Sequence, residues 1–366
     1  MRINENILIS SLTTMRLGGP ARYVYEIEKP EEIPDAYGFA KTYNLPVFVL
    51  GGGANTIGHD EGFNGVIIIN RMRGITDVTW MGDDSGRGPQ NVLQSKNFGE
   101  GKESAGPIQI KVMGGEPWDN VCEYAASKGL SGIEGLSKIP GLAGAAPVQN
   151  IGAYGQEITD TLTEIDVYDS ETNSFRTLSN EDLQFSYRKS ILNTTAKNRY
   201  FVISITLTLQ PGQMPRPFYD SIEKYVSEHN VTDFSPANIR KIISEIRASK
   251  IPDPREKASA GSFFKNIYLS EPDAETAKEK GYPVYKGKNG YSINSGWLIE
   301  QAGFKGELLH GIRVNEKASL ILINESATSY NDLAKARDEI IAKVYDKFGY
   351  WLEQEPVEIT NENFKR

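Results

Sequence analysis

Hydrophobic positions in the first part of the chain alternate between helical and strand-like spacing. Residues 31–44 have the spacing of an amphipathic helix, while Pro46–Leu50 and Val66–Asn70 are short apolar runs typical of strands. Residues 117–128 again have helical spacing, with a proline in the first turn and a glycine directly after the end. This part of the chain is therefore predicted to mix helices and strands.

A period of two appears before residue 210. Five apolar residues alternate there with mostly polar ones, which predicts a half-buried strand. Ile165–Asp169 also has strand character and is its predicted neighbour. The alternating residues are Phe201, Ile203, Ile205, Leu207 and Leu209.

The last part of the chain has clear helix boundaries. Ser235-Pro236 is a start signal for a helix with Ile239, Ile242, Ile243 and Ile246 on one face, and Leu320–Ile323 is typical of a buried strand. Ser329 with Asp332 three residues later forms a capping-box pattern. It predicts a long helix that ends at Gly349.

Two polar, glycine-rich stretches divide the chain. Residues 81–107 are predicted to form a surface insertion between two strands, and no internal repeat is present. Residues 210–217, rich in proline and glycine, predict a domain boundary. The expected division, by residue number, is a first domain at 1–212 with parts at about 1–72 and 73–212, and a second domain at 213–366.

The composition indicates a soluble globular protein, since 39% of the 366 residues are hydrophobic and 24% are charged. A net charge of −8 without a basic run argues against nucleic acid as a partner. The chain lacks a signal-peptide pattern and any apolar run of about 20 residues, so no membrane association is expected. The lone Cys122 favours the cytoplasm and, from its helical position, a buried structural thiol. The three histidines and this cysteine lack ligand spacing, so no metal is expected.

A glycine loop directly follows the first predicted strand. Its small residues allow a ligand to approach the backbone, and successive amides can bind a pyrophosphate. The loop lacks the third glycine of a dinucleotide-binding fingerprint and the Gly-Lys pair of a Walker loop. By itself it is equally consistent with a tight turn. Its residues are Gly51, Gly52, Gly53, Ala54 and Asn55.

A second segment, residues 139–155, reads IPGLAGAAPVQNIGAYG and is a poor helix and a poor strand. Such a segment is expected to expose many unpaired backbone groups, and a large polar cofactor lying along it would pair them. The alternative is a glycine-rich crossing of the core without a ligand.

Taken together, these two segments resemble the flavin-binding half of the UDP-N-acetylenolpyruvoylglucosamine reductases (MurB), which are vanillyl-alcohol-oxidase-like flavoproteins. Residues 12–22 resemble the family's start, although Thr13-Thr14-Met15 replaces the usual Asn-Thr-Phe. The resemblance implies an α+β fold: a PCMH-type FAD-binding region and a smaller α/β substrate-binding domain, with the last strand, about 351–360, returning to the FAD region. It implies non-covalent FAD at Gly51, Gly52, Gly53, Ala54, Asn55, Ile139, Pro140, Gly141, Gly144, Asn150, Gly152, Ala153, Tyr154 and Gly155.

Three later motifs resemble the family in the same order. In Tyr-Arg-Lys-Ser, the resemblance implies that Arg188 contacts the substrate carboxylate. In Gly-Ser-Phe-Phe-Lys-Asn it makes Ser262 the proton donor, and in Leu-Glu-Gln-Glu it makes Glu355 catalytic. The substrate contacts implied near these motifs are Tyr187, Lys265 and Asn266.

Two further matches are typical of the variety of this family that places a tyrosine-bearing loop over the substrate. Tyr219 and Lys250 correspond to residues that meet the nucleotide diphosphate in relatives. Lys250, near the end of a predicted helix, is also suited to interact with the helix dipole alone. The chain departs from the family at Pro356, usually Val or Ile, and in residues 314–320, which lack the frequent His or Gln.

The resemblance implies an NADPH-linked flavoenzyme, UDP-N-acetylmuramate dehydrogenase, of peptidoglycan precursor synthesis. In this family hydride passes from NADPH to FAD and then to UDP-N-acetylglucosamine enolpyruvate, a small-molecule substrate. The expected oligomeric state is a monomer or weak oligomer. The alternatives are a flavin oxidoreductase of the same superfamily acting on an alcohol or sugar, and a non-catalytic nucleotide-sugar binding protein. Many such oxidases tether the flavin through His or Cys, and residues 139–155 contain neither.

Overall fold

The structure, a computed structural model, describes residues 2–78 and 106–361. The predicted insertion at 81–107 lies outside the described residues, apart from its last two positions. The described residues group into two compact units: the first contains 26–38, 69–78 and 106–247, and the second contains 2–25, 39–68 and 248–361. The predicted domain division at 212/213 stays a prediction.

Helices and strands are interspersed along the whole described chain. The strands are β1 Arg2–Leu8, β2 Pro20–Ile27, β3 Val47–Leu50, β4 Thr56–Gly58, β5 Phe63–Asn70, β6 Ile75–Val78, β7 Ile108–Met113, β8 Leu130–Ser131, β9 Gly152–Ala153, β10 Gln156–Glu157, β11 Leu162–Asp169, β12 Ser174–Ser179, β13 Tyr200–Pro211, β14 Ser259–Ser262, β15 Ile267–Leu269, β16 Val284–Gly287, β17 Gly290–Ile293, β18 Leu308–Leu309, β19 Ile312–Val314, β20 Ile321–Asn324 and β21 Val357–Ile359. The α-helices are α1 Ile33–Thr42, α2 Trp118–Ser127, α3 Asp220–Glu228, α4 Pro236–Lys250, α5 Glu271–Glu279, α6 Ser295–Gln301 and α7 Tyr330–Phe348. The helices and strands predicted from hydrophobic spacing are confirmed, with ends that differ by a few residues.

The first unit is built on an antiparallel sheet with the order β12-β11-β13-β7-β6 among the described strands. Helix α2 packs on this sheet through a buried face that includes Trp118, Val121 and Cys122. The Cys122 side chain is 1% exposed, and burial raises the pKa of its thiol, so the prediction of a buried structural cysteine is confirmed.

The prediction that β13 is half-buried is wrong, because the polar residues of this strand are buried as well as the apolar ones. The pairing of β13 with β11 shifts register between Asp166 and Val167, and Ile203 is left without a partner in that ladder. Such a bulge changes which face the following side chains point to. The buried polar groups are satisfied: Ser204 donates to Asp166 at 2.7 Å, and the Thr208 and Thr163 hydroxyls are 2.6 Å apart.

A separate cluster in the first unit joins α3 and α4. Its core is Met214, Phe218, Ile222, Val226, Ile239, Ile242, Ile243 and Ile246, so the predicted apolar face of α4 is confirmed. The Ser235 hydroxyl accepts from the Asn238 amide at 3.4 Å at the start of the helix.

The second unit combines small sheets with α7. The sheets are β14-β20-β19-β18, β15-β17-β16 and the parallel pair β21-β4, and the sheet β1-β2-β5-β3 lies largely in this unit. Helix α7 buries Leu333, Ala336, Ile340 and Val344. Ser329 and Asp332 form the predicted capping box, and Gly349 ends the helix in a left-handed conformation. Within residues 2–78 and 106–361, no helix has both the length and the apolar character that crossing a bilayer requires.

Asp169, at the end of β11, carries a fully buried carboxylate. Arg199 donates to its two oxygens at 2.9 and 2.7 Å, and the Glu171 amide donates at 3.1 Å. The hydrogen bonds from Arg199 hold the pKa of Asp169 well below its usual range. The Asp169–Arg199 ion pair therefore anchors the end of β11.

We expect Asp169→Asn to lower the free energy of unfolding by about 2–4 kcal/mol at pH 7, because the substitution removes one partner of a buried ion pair. The folded-state pKa lies below the unfolded value of about 3.9, so this stabilisation is present above pH 4 and is lost as the pH falls through the folded pKa. Urea unfolding at pH 7 and pH 3 measures the difference. The control Asp77→Asn, in an exposed pair with Lys128, should change it by less than about 0.5 kcal/mol. An equal difference between wild type and Asp169→Asn at both pH values would contradict the assignment.

Candidate active site

The glycine loop at residues 51–55 packs closely against residues 12–14. Gly53 has φ +66°, and a Cβ there would lie 2.0 Å from the Leu12 carbonyl oxygen, so the close approach requires glycine. Among the residues that the structure describes, the amides of Gly52, Gly53 and Ala54 have no hydrogen-bond acceptor. Successive amides of this kind form an anion-binding nest, so the loop fits the pyrophosphate of a dinucleotide such as FAD.

The middle of the segment 139–155 has more paired backbone groups than expected. The prediction that many of its backbone groups are unpaired is wrong for its middle part. The Ala143 and Gly144 amides donate to the Glu116 and Gly114 carbonyls, both at 2.8 Å, and the Ile151 amide donates to the Ala146 carbonyl at 3.1 Å. A Cβ on Gly144 would lie 3.0 Å from the Gly114 oxygen, so any larger residue would require the Gly114 backbone to shift.

The side chain of Asn150 is 1% exposed and holds the fold of the same segment. Its amide nitrogen donates to the Ser186 carbonyl at 3.2 Å, and its oxygen accepts from the Thr159 amide at 3.3 Å. By contrast, Gly141 and Gly155 have φ +130° and +81°, and a Cβ on either would meet no atom within 4 Å among the described residues. The two ends of the segment therefore have room for a ligand, and the middle is structural.

Arg188 lies beside this segment. Its Nη2 donates to the Gly152 carbonyl at 2.9 Å, and its guanidinium stacks over the Tyr187 ring at 5.1 Å. Arg188 has φ +55°, a left-handed conformation that is uncommon for a non-glycine residue, and the Asn193 side chain donates to its carbonyl at 3.1 Å. The structure thus brings one predicted catalytic residue together with the second predicted cofactor segment.

A further group in the first unit begins at Tyr154, within the segment 139–155, and includes Tyr219 and Arg247. The two tyrosine rings meet edge to face at 5.8 Å, and Tyr219 is 54% exposed. Burial raises the pKa of Tyr154, and burial lowers the pKa of Arg247, which interacts with the Tyr154 hydroxyl. Sequence reasoning missed Arg247, although its position one helical turn before Lys250 in α4 was a usable signal.

In the second unit, three predicted motifs meet through their backbones. The Glu355 amide donates to the Phe263 carbonyl at 2.9 Å, directly beside Ser262. The Asn55 side chain donates to the Glu355 carbonyl at 3.4 Å, and the Val357 amide donates to the Asn55 carbonyl at 3.0 Å. The structure therefore places the glycine loop, the serine motif and the glutamate motif side by side. Arg188 belongs to the first unit.

The remaining predicted substrate residues also lie in the second unit. The Lys265 ammonium pairs with the Glu353 carboxylate at 2.5 Å, and the Asn266 oxygen accepts from the Ser295 amide at 3.2 Å. Lys250 is exposed, and its carbonyl accepts from the Asn315 side chain at 3.0 Å. Lys265 is thus engaged by an acidic neighbour, and Lys250 projects from the end of α4.

Two family models match the chain. Residues 253–359 match the C-terminal domain of UDP-N-acetylenolpyruvoylglucosamine reductase, and residues 102–177 match an FAD binding domain. Relatives with the same name are 31% identical over 361 residues in Bdellovibrio bacteriovorus, covering 98% of this chain and 99% of that protein. In Pasteurella multocida the identity is 33% over 350 residues, covering 93% of both.

Among solved structures, the chain is similar to the UDP-N-acetylenolpyruvylglucosamine reductase (MurB) of Thermus caldophilus. The TM-score is 0.63 at 23% identity, and the similarity covers 98% of this chain and 100% of that one. At that identity the similarity concerns the fold, and the predicted α+β fold with an FAD-binding region and a second domain is confirmed. With relatives above 30% identity over nearly the whole length, the chain belongs to the UDP-N-acetylenolpyruvoylglucosamine reductase family.

Proposed function

We propose that this chain reduces the enolpyruvyl ether of UDP-N-acetylglucosamine enolpyruvate to UDP-N-acetylmuramate, with NADPH as reductant and non-covalent FAD. The observation that supports this most is the backbone pairing of residues 263–265 with 353–355, which brings Ser262 and Glu355 onto adjacent segments. Ser262, the proposed proton donor, and Glu355, which is proposed to bind the substrate carboxylate, are thereby positioned by the same core. The product class makes this an enzyme of peptidoglycan precursor synthesis, which we place in the cytoplasm as a monomer or weak oligomer.

FAD is proposed to contact each of the two glycine-rich segments. The amides of Gly52, Gly53 and Ala54 would hold the pyrophosphate, while Gly141 and Gly155 leave room at the ends of the second segment. When bound, FAD supplies the hydride relay between nicotinamide and substrate, so that one site serves both in turn. The residues of this chain are proposed to bind FAD, orient the substrate and supply the proton.

Arg188 and Glu355 are proposed to stabilise the substrate carboxylate. Negative charge develops on this carboxylate as hydride adds to the conjugated double bond. A guanidinium presents a planar pair of donors to it, and the bond from Arg188 to the Gly152 carbonyl orients that group. Glu355 contributes a hydrogen bond in its protonated form, which a neighbouring anion favours.

Ser262 is proposed to deliver the proton to C2 of the substrate. A serine hydroxyl is a weak acid, so it can protonate only a strongly basic carbanion, as this reaction generates. The ion pair with Glu353 occupies the Lys265 ammonium, which leaves Ser262 as the stronger candidate donor in this motif. Tyr187, Lys265 and Asn266 are proposed to contact the substrate.

Tyr219 and Lys250 are proposed to bind the nucleotide diphosphate. Tyr219 is exposed at the edge of the Tyr154 ring, and Lys250 ends α4 with its carbonyl held by Asn315. Both are placed on the surface of their own unit, where a charged, solvated group can reach them.

The purified protein is expected to be yellow and to release all its FAD on denaturation. Gly52→Asp should weaken FAD binding at least tenfold, because a carboxylate beside the unpaired amides repels the pyrophosphate. Gly52 is exposed and is not among the described glycines with a positive φ. Gly52→Asn has nearly the same shape without the charge and should bind FAD much more tightly than the aspartate variant. Colourless protein that FAD cannot reconstitute would refute the cofactor assignment.

Lys250→Ala should raise the KM for the enolpyruvyl substrate by about 10–100-fold, as expected for the loss of a charged hydrogen bond. Flavin reduction by NADPH should stay nearly unchanged. The control Lys241→Ala removes another exposed lysine of α4 and should leave both parameters unchanged. If flavin reduction collapsed instead, Lys250 would not be a diphosphate contact.

Ser262→Ala should slow reoxidation of the reduced flavin by substrate by several orders of magnitude, while flavin reduction by NADPH continues. The two are separated by stopped-flow absorption at the flavin band. Alanine nearly preserves size, so a folding explanation is weak. Cysteine is a stronger acid of similar shape, so Ser262→Cys should restore part of the rate. Normal reoxidation in the alanine variant would move the proton donor to another group.

A further inference from the structure

A group of polar side chains surrounds the segment that carries Glu355. Gln354, which precedes Glu355, donates from Nε2 to the carbonyl of Pro356, which follows it, at 2.9 Å. The same nitrogen donates to Glu358 Oε1 at 3.1 Å, and the Gln354 oxygen accepts from Arg337 Nη1 at 3.1 Å. The side chain of Gln354 therefore spans Glu355 and closes a short ring around its backbone.

The Glu358 carboxylate accepts hydrogen bonds from both Gln354 and Arg337 and so holds these two side chains. Its carboxylate accepts from Arg337 Nη1 at 3.1 Å and from the Tyr330 hydroxyl at 2.7 Å, and it lies 2.9 Å from His59 Nε2. Burial raises the pKa of Glu358, but the hydrogen bonds from His59, Tyr330 and Gln354 lower it to about 2. Glu358 is therefore a carboxylate at neutral pH and keeps accepting from Gln354 and Arg337.

The backbone of Glu355 is held independently on both sides. Its amide donates to the Phe263 carbonyl, and its carbonyl accepts from the Asn55 side chain. Pro356 restricts the next φ angle. The Gln354 side chain adds a further restraint on residues 354–356, because it bonds the carbonyl on the far side of Glu355.

We propose that Arg337, Gln354 and Glu358 form a clamp that positions the carboxyl group of Glu355 for the substrate. This inference rests on the proposed function, in which Glu355 meets the substrate carboxylate. The three clamp residues are positioning residues: they act through Glu355. His59 and Tyr330 support the clamp by holding Glu358, and their rings stack at 3.6 Å.

The variant Gln354→Met tests the clamp in the FAD-loaded enzyme, because methionine has a similar length but neither donates to Pro356 nor bonds Arg337. A misplacement of about 1 Å costs about 100-fold in rate, so reoxidation of reduced flavin by substrate should slow 10–100-fold. Flavin reduction by NADPH and the FAD dissociation constant should change less than twofold. The matched control is Asp338→Ala, which removes another partner of Arg337, at 2.8 Å, and should change none of these quantities.

A double-mutant cycle with Glu355→Gln decides whether the clamp acts through Glu355. In the Glu355→Gln background, Gln354→Met should have less than a threefold further effect, because the group that the clamp positions is already lost. A further slowing by the full single-mutant factor would overturn the clamp. If Glu355→Gln alone left reoxidation unchanged, the proposed role of Glu355 would fail instead, so the two failures are distinguishable.

A second variant covers the case in which Gln354→Met does not retain FAD. Glu358→Gln keeps the shape but removes the carboxylate that anchors Gln354 and Arg337, and it should show the same selective slowing of reoxidation with the same dependence on Glu355. Equal slowing of flavin reduction and reoxidation by this variant would show a general loss of structure and would overturn the positioning role.

Discussion

Residues 353–357 bond to two segments of the second unit that are distant in sequence, Asn55 and residues 263–265. The proposed chemistry depends on this constraint. Glu355 is 300 residues from Asn55, whose side chain donates to its carbonyl, and its amide pairs with the Phe263 carbonyl. Closing such long loops costs entropy, which the fully buried Phe263 and Phe264 side chains and the β21–β4 ladder offset. The positions of Ser262 and Glu355 are consequently not independent, since one core sets both.

The glycines of the two cofactor segments meet different physical needs. Gly53 allows backbones to approach more closely than any Cβ permits, and Gly144 packs tightly against the Gly114 backbone, so both serve the fold whether or not a ligand binds. Gly141 and Gly155 have open space around them. Richness in glycine is therefore weak evidence for a cofactor, and the case for FAD depends instead on the match to an FAD binding domain and on the amides of residues 52–54, which lack an acceptor among the described residues.

The parts of the fold that could be predicted from the sequence are those governed by short-range hydrogen bonds and periodicity. The Ser329 capping box, the left-handed Gly349 and the apolar face of α4 each involve residues within a few positions of one another. The burial of the polar residues of β13 could not be predicted, because it depends on long-range partners such as Asp166 and Thr163, which local periodicity does not reveal.

The candidate site shows the same limit. The roles of Arg188, Ser262 and Glu355 came from a resemblance to a family, since each alone would pass for a surface residue. Arg247 and Arg337 were missed because an arginine on an amphipathic helix ordinarily indicates a solvated face. Their partners at Tyr154 and Gln354 become visible only when the chain is folded.

A comparison of two carboxylates whose pKa is held low, Asp169 and Glu358, explains why the Glu358 cluster points to function. Asp169 bonds Arg199 and the neighbouring Glu171 amide at the end of a strand, and neither partner has a proposed role in the site. Glu358 instead holds Gln354, whose amide reaches the carbonyl next to Glu355. Partly buried charges add little net stability compared with apolar packing, but their directional bonds specify geometry. A network of this kind is physically well suited to the segment where a small displacement of one carboxyl group costs the most in rate.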